Sequence, residues 1–212
     1  MLIDIKQLFQ KNNHKIRKVA YFGFADAKPD DPLYKEAFEC AKYLSEKGYV
    51  AINGGGPGTM RAVSEGAKAS KGKTIGVTFY PKDITNFEGR DKANPLDKEI
   101  KTPNYLKRTL KLLELGDVYV IFRGGTGTIS EFGMAWGLAR LYFGHHKPLI
   151  LYGAFWNNIV RAFTENMRIR ADDMKVYKVV TTPEEAYQAI LSFEEALKTQ
   201  NHSHKEEQAF QL

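Results

Sequence analysis

Apolar residues along the chain fall into two kinds of run that alternate. The first kind is short and continuous: "KVAYFGFA" at 18–25, "YVAIN" at 49–53, "TIGVTF" at 74–79, "DVYVIF" at 117–122, "PLILYG" at 148–153 and "KVVTT" at 178–182. Rich in β-branched and aromatic residues and lacking a polar residue at every second place, these runs predict strands covered on both faces. The second kind spaces its apolar residues by three and four. "DPLYKEAFECAKYLSEKG" at 31–48 is a helix that stops at Gly48, a glycine C-cap. Thr59 to about Lys71 carries Met60, Val63 and Ala67 at the same spacing, and "PNYLKRTLKLLELG" at 103–116 sets Leu106, Leu110 and Leu113 on one face and Lys107 and Lys111 on another. Further helices are predicted from Thr128 to about Phe143, from Trp156, and from Pro183, where proline suits a first turn. The segment from Tyr80 to about Lys101 is polar and aperiodic, which predicts a long functional loop.

Regular alternation of such strands and helices predicts an α/β protein with a doubly wound parallel sheet in a single domain at 18–192. Residues 1–17 form an amphipathic extension with Leu2, Ile5, Leu8 and Phe9 on one face, and 193–212 comprise the end of the last helix and a polar tail. Ligands of such sheets bind beyond the carboxyl ends of the strands, where strand order reverses.

Composition changes this picture little. The chain is 43% hydrophobic and 26% charged, and no apolar run approaches the ~18 residues of a membrane span. No small-residue cleavage site follows the N-terminal segment, so it does not read as a signal peptide. The single cysteine, Cys40, lies in a helical pattern among Ala37, Phe38 and Ala41 and reads as a buried inert thiol, in keeping with a cytoplasmic location. A net charge of +6 favours anionic partners, but the basic residues are dispersed and no nucleic-acid-binding signature is present. A nucleotide or sugar phosphate suits this charge better than a nucleic acid or a membrane.

Candidate chemistry concentrates in two glycine loops, "NGGGPGTM" at 53–60 and "FRGGTGTISE" at 122–131, each placed between a strand and a helix. A helix start offers unpaired N–H groups and positive dipole, and glycines let an anion approach them. Neither loop is a P-loop or a GxGxxG fingerprint, because the Lys-Ser/Thr ending is missing and Thr59 and Ser130 replace the last glycine. Two readings stay open. The loops form a phosphate cradle, or they are tight turns with Thr59 and Thr128 as N-caps and Glu131 closing a Thr-x-x-Glu capping box. His145 and His146, and His202 and His204 in the tail, have no companion ligands in sequence, so no metal site is expected. Trp136 and Met134 read as core or subunit contact.

"GGGPGT" after the second strand, Arg108 in the helix before the next buried strand, and "GGTGTISE" after that strand resemble the Lonely Guy (LOG) family, whose hallmark is PGGxGTxxE preceded by an arginine. Gly124, Gly125, Gly127, Thr128 and Glu131 match the hallmark, and the resemblance runs from about 18 to 192 through "YFGFADAKPDDPLYKEA" and "YKVVTTPEEAYQAI". Arg123 stands in place of the hallmark proline, Thr109 in place of a lysine, and Phe24 in place of a serine. The resemblance implies a three-layer Rossmann-like fold, a homodimer or higher homo-oligomer, and a phosphoribohydrolase that needs no cofactor. Its substrate would be a nucleoside 5′-monophosphate, AMP-like or of the cytokinin type. Members are often labelled lysine decarboxylases, for which this sequence shows no pyridoxal-phosphate lysine motif.

N-glycoside cleavage passes through an oxocarbenium-like sugar cation, which a carboxylate stabilises while it aligns water. The resemblance assigns that role to Glu131 and makes Arg108 catalytic. The phosphate would rest on Gly125, Thr126, Gly127 and Thr128, next to Gly124, with Gly23 nearby and Gly54, Gly55, Gly56, Gly58 and Thr59 on the opposite side. The alternative is a nucleotide-binding or carrier module of the same fold without turnover.

Overall fold

The computed structural model describes residues 16–81, 89–141 and 147–199. Its elements are β1 (Lys18–Phe22), α1 (Pro32–Glu46), β2 (Val50–Asn53), α2 (Thr59–Ala69), β3 (Thr74–Phe79), β4 (Lys98–Thr102), α3 (Tyr105–Leu115), β5 (Val118–Ile121), α4 (Thr126–Leu141), β6 (Leu149–Tyr152), α5 (Trp156–Asn166), β7 (Tyr177–Val180) and α6 (Pro183–Thr199), with a 3-10 turn at Ala171–Met174. The N-terminal extension up to residue 15, the tail from 200, and the four histidines above lie outside the described residues. The predicted boundary at 193 falls inside α6, where Phe193 is buried in the core.

All seven strands are parallel, in the order β4-β3-β2-β1-β5-β6-β7. The chain builds outward from β1 to β4 and then returns to set β5 on the other side of β1, so strand order reverses between β1 and β5. Phe22 pairs with Ile121, which brings the carboxyl ends of these two strands level. Successive residues of the central strands feed opposite cores. Val19, Tyr21, Val118, Val120 and Ile150 pack against α1, α2 and α6, while Ala20, Phe22, Tyr119, Ile121 and Leu149 pack against α3, α4 and α5. This is the three-layer doubly wound architecture that the continuous apolar runs predict, and each fully buried large side chain contributes about 1.5–3 kcal/mol.

Helix starts have local causes. The Asp31 side chain accepts from the Leu33 N–H at 2.8 Å, with Pro32 at the first position of α1, and the Asn104 side chain accepts from the Lys107 N–H at 2.9 Å to begin α3. The end of α3 is satisfied from a distance: Lys147 Nζ donates to the carbonyls of Leu113 (2.8 Å) and Glu114 (2.6 Å). Burial pushes the Lys147 ammonium down to about 8. Cys40 is buried in the core beneath α1, and that burial raises its thiol well above the ordinary range, as an inert thiol requires.

Two details differ from the sequence reading. The polar segment from Tyr80 contains a seventh strand, β4, paired in parallel with β3 along the sheet edge. Polar side chains within it and just before it hold it there: Asp97 accepts from the Thr74 N–H at 2.8 Å, and Glu99 accepts from the Thr78 hydroxyl at 2.7 Å. Helix α3 is also turned from the expected face. Leu106 is exposed, whereas Arg108 and Thr109 are buried beside Leu112 and Leu113, because the helix presents its arginine to the end of the sheet.

Candidate active site

A cavity of about 270 Å³ opens where strand order reverses. Gly23, Phe24 and Ala25 after β1, Met60 of α2, Tyr105 and Arg108 of α3, and Gly125 to Thr128 with Glu131 of α4 line it. The two central loops are stitched together by the Phe24 N–H, which donates to the Arg123 carbonyl at 3.1 Å.

Arg108 and Glu131 meet at the floor. Asn104 fixes the first turn of α3, which carries Arg108 inward, and Arg108 Nη2 lies 3.8 Å from Glu131 Oε1. The guanidinium also sits 3.8 Å from Met60 Sδ and 5.7 Å from the centre of the Tyr105 ring. Gly54 is a glycine because of this residue: a Cβ there would stand 2.1 Å from Arg108 Nη2. Arg108 lines the cavity, and its Nε is buried and has no hydrogen-bond partner among the described residues. Glu131 is 5% exposed, and burial pushes its carboxyl up to about 7 although the Arg108 guanidinium pulls it the other way.

Above this pair stands the amino end of α4. The helix begins at Thr126, and its hydrogen-bond ladder opens with the Ile129 N–H on the Gly125 carbonyl at 3.0 Å. The preceding N–H groups, from Gly125 to Thr128, have no acceptor within the helix and border the cavity. The Tyr105 hydroxyl lies 3.1 Å from Ser130 Oγ and fastens α3 to this turn. Because the helix starts at 126, Thr128 lies inside the first turn and Glu131 faces Arg108, so the capping-box reading does not describe this segment.

The sequence profile of the SLOG cluster4 family matches residues 16–181. The chain belongs to that family. It is LOG-like, as the paired glycine motifs imply. A protein of Archaeoglobus fulgidus described as uncharacterized is 29% identical over 139 residues, which cover 66% of this chain and 86% of that one. The cytokinin riboside 5′-monophosphate phosphoribohydrolase of Mycobacterium tuberculosis is 31% identical over 121 residues, 56% of this chain and 62% of that protein. Among solved structures, the molybdenum cofactor binding protein of Rippkaea orientalis shares the fold with a TM-score of 0.62 at 24% identity, covering 84% of this chain and 97% of that chain.

In this SLOG cluster4 chain the two glycine loops have different surroundings. Gly55, Gly56, Gly58 and Thr59, expected on the opposite side, are not among the residues lining this cavity, and polar groups of their loop are engaged internally. Asn53 Oδ1 accepts from the Gly55 N–H (2.8 Å), Asn94 Nδ2 donates to the Gly56 carbonyl (2.8 Å), and the Thr59 N–H donates to the Phe24 carbonyl (2.9 Å). Gly58 has φ +60°, and a Cβ on it would meet the Ala25 carbonyl at 2.2 Å, so the turn admits only glycine. Thr59 is the first residue of α2, not its N-cap. Gly54 supports Arg108 from behind, and Gly124 packs against the Thr128 side chain. Gly23, Gly125, Thr126, Gly127, Thr128, Arg108 and Glu131 do come together. Tyr105 and Met60 join them without having been expected; the three-residue step from Tyr105 to Arg108 on one helix was the available signal. Among the described residues, no group of three or more His, Cys, Asp or Glu side chains is placed to hold a metal ion, and no helix is long and apolar enough to cross a membrane.

Proposed function

We propose that the chain hydrolyses the N-glycosidic bond of a nucleoside 5′-monophosphate, giving the free base and ribose 5-phosphate. The observation that carries this reading is a buried carboxylate, Glu131, facing Arg108 beneath the open amino end of α4. The phosphate rests on the N–H groups of Gly125 to Thr128 and takes a charge-assisted bond from the Arg108 guanidinium. Glu131 stands where positive charge develops at C1′ and orients a water molecule. The water oxygen bonds to C1′ as the C1′–N bond breaks, and the proton that the water gives up offsets the one that the departing base takes up, so the products are the free base and ribose 5-phosphate. A relative named for phosphoribohydrolase activity on a cytokinin nucleotide supports this class of reaction.

Incubation with a panel of nucleoside 5′-monophosphates, followed by chromatography for free base and ribose 5-phosphate, tests the proposal. Release of base from at least one member is expected, with adenosine turned over far less efficiently than AMP. Nucleotide binding with no product from any member overturns hydrolysis. It would favour the second reading, a carrier, which the helix start at Gly125 to Thr128 and the Arg108 guanidinium serve equally well.

A further inference from the structure

We propose that Phe24 seats the base: its ring is a stacking platform for the planar heterocycle of the nucleotide, selecting purines over pyrimidines. The inference rests on the reading of this cavity as a nucleotide site. Phe24 directly follows β1 and its glycine, and it breaks the burial pattern of that strand. Tyr21 and Phe22 are 2% and 3% exposed, whereas Phe24 is 41% exposed and lines the cavity.

This exposure is not slack in the chain. The Phe24 N–H donates to the Arg123 carbonyl at 3.1 Å, and the Phe24 carbonyl accepts from the Thr59 N–H at 2.9 Å. Its backbone is therefore clamped between the loops that follow β5 and β2, while the ring is left free. The other aromatic ring that the cavity shares with a helix is already engaged. Tyr105 bears the Arg108 guanidinium on its ring, meets Phe79 edge-on at 6.1 Å and spends its hydroxyl on Ser130. Among the described residues the Phe24 ring meets no other aromatic ring and no cation.

The rest of the cavity accounts for the other parts of the ligand. The start of α4 and Arg108 take the anionic end, and Glu131 faces the sugar carbon. What remains is a flat, weakly polar leaving group; Tyr21, Phe22 and Met60 also line the cavity but are buried, so the exposed apolar ring in the lining is Phe24. Stacking on an aromatic side chain tolerates any base but scales with ring area, so the two-ring bases gain more. Gly23 and Ala25 on either side of Phe24 add no bulk to hinder the approach.

The test is calorimetric titration of the full chain, wild type, Phe24→Ala and Phe24→Trp, with AMP, UMP and ribose 5-phosphate, alongside turnover of AMP. The wild type is expected to bind AMP more tightly than UMP, and both more tightly than ribose 5-phosphate. Phe24→Ala should weaken AMP about tenfold or more, change ribose 5-phosphate by less than about twofold, and erase the preference for AMP, while Phe24→Trp retains it. Unchanged AMP affinity in Phe24→Ala overturns the proposal. So does an equal loss for AMP and ribose 5-phosphate, or a wild type that binds the two alike. The turnover arm separates this from the hydrolase reading: AMP held through Phe24 without cleavage removes hydrolysis and leaves the stacking seat standing.

Discussion

Replacing Glu131 by Gln should make the protein more stable and less active at the same time. The folded carboxyl titrates at about 7 against an ordinary value of 4.5, so the folded state binds the proton more tightly than the unfolded chain does. With that sign, the stabilisation belonging to the protonated form is complete below pH 4.5 and is lost as pH rises to about 7. At ~1.36 kcal/mol per pH unit the loss is roughly 3 kcal/mol. The attraction of Arg108 is already included, since burial outweighs it. Gln resembles the protonated acid, so near neutrality and above the variant escapes the loss, and at low pH it gains nothing. For a domain of this size, at about 2–4 °C per kcal/mol, the melting temperature at pH 8 should rise by several degrees, up to ~10 °C. Hydrolysis should fall about 100-fold or more, the scale of one lost electrostatic contact in a transition state. Paired thermal melts of wild type and variant from pH 4 to pH 8 read the first effect, and base release reads the second. A variant less stable than wild type at pH 8, a stability difference independent of pH, or undiminished turnover would each refute the reasoning.

If the ionised carboxylate is the working form, kcat/KM for a nucleotide should climb with pH through about 7 and then level; a flat profile across that range speaks against Glu131. Gly54→Ala should disable turnover by forcing the Arg108 guanidinium aside, whereas Gly125→Ala, with nothing within 4 Å of the added carbon, should keep its melting temperature and raise KM; the reverse pattern would reassign the two loops. Between about pH 8 and 10.5 the unfolded chain keeps the Lys147 proton that the fold has released, so wild type should gain stability relative to Lys147→Met, and denaturant titrations showing no gain would contradict that account. Exposed Ile129 and Leu141 on α4 and Leu106 on α3 are expected to be covered by a second copy of the chain, so light scattering should report a dimer of 24.0 kDa subunits that Ile129→Glu disrupts; a monomeric wild type removes this expectation.

The central strands were legible because burial on both faces writes itself into sequence as uninterrupted apolar runs. Strand β4 was not, since an edge strand takes its hydrogen bonds from β3 and needs only Ile100 to face inward; Lys98, Glu99 and Lys101 therefore look like loop. The leucines of α3 misled for a related reason. Leu106, Leu110 and Leu113 form a stripe by spacing, but the helix buries Arg108, which faces Glu131 from a distant part of the chain. The glycine loops look alike in composition, and only their neighbours tell them apart. Asn53 and Asn94 consume polar groups of the first, while the start of α4 leaves those of the second open.

The pairing of β1 with β5 also governs the order in which the protein comes into being. Synthesis delivers β1 to β4 with α1 and α2 first, and these elements can pack on one another while one edge of β1 still waits for a partner that begins at Val118. During that interval the hydrogen-bonding groups of Val19 to Phe22 form an unpaired template, open to a strand from any other nascent chain. Arrival of β5 closes the seam, and the same event sets the amino end of α4 above Arg108. A molecule that has acquired its cavity has by then sealed that side of β1, so the formed cavity marks the completed pairing of the two central strands.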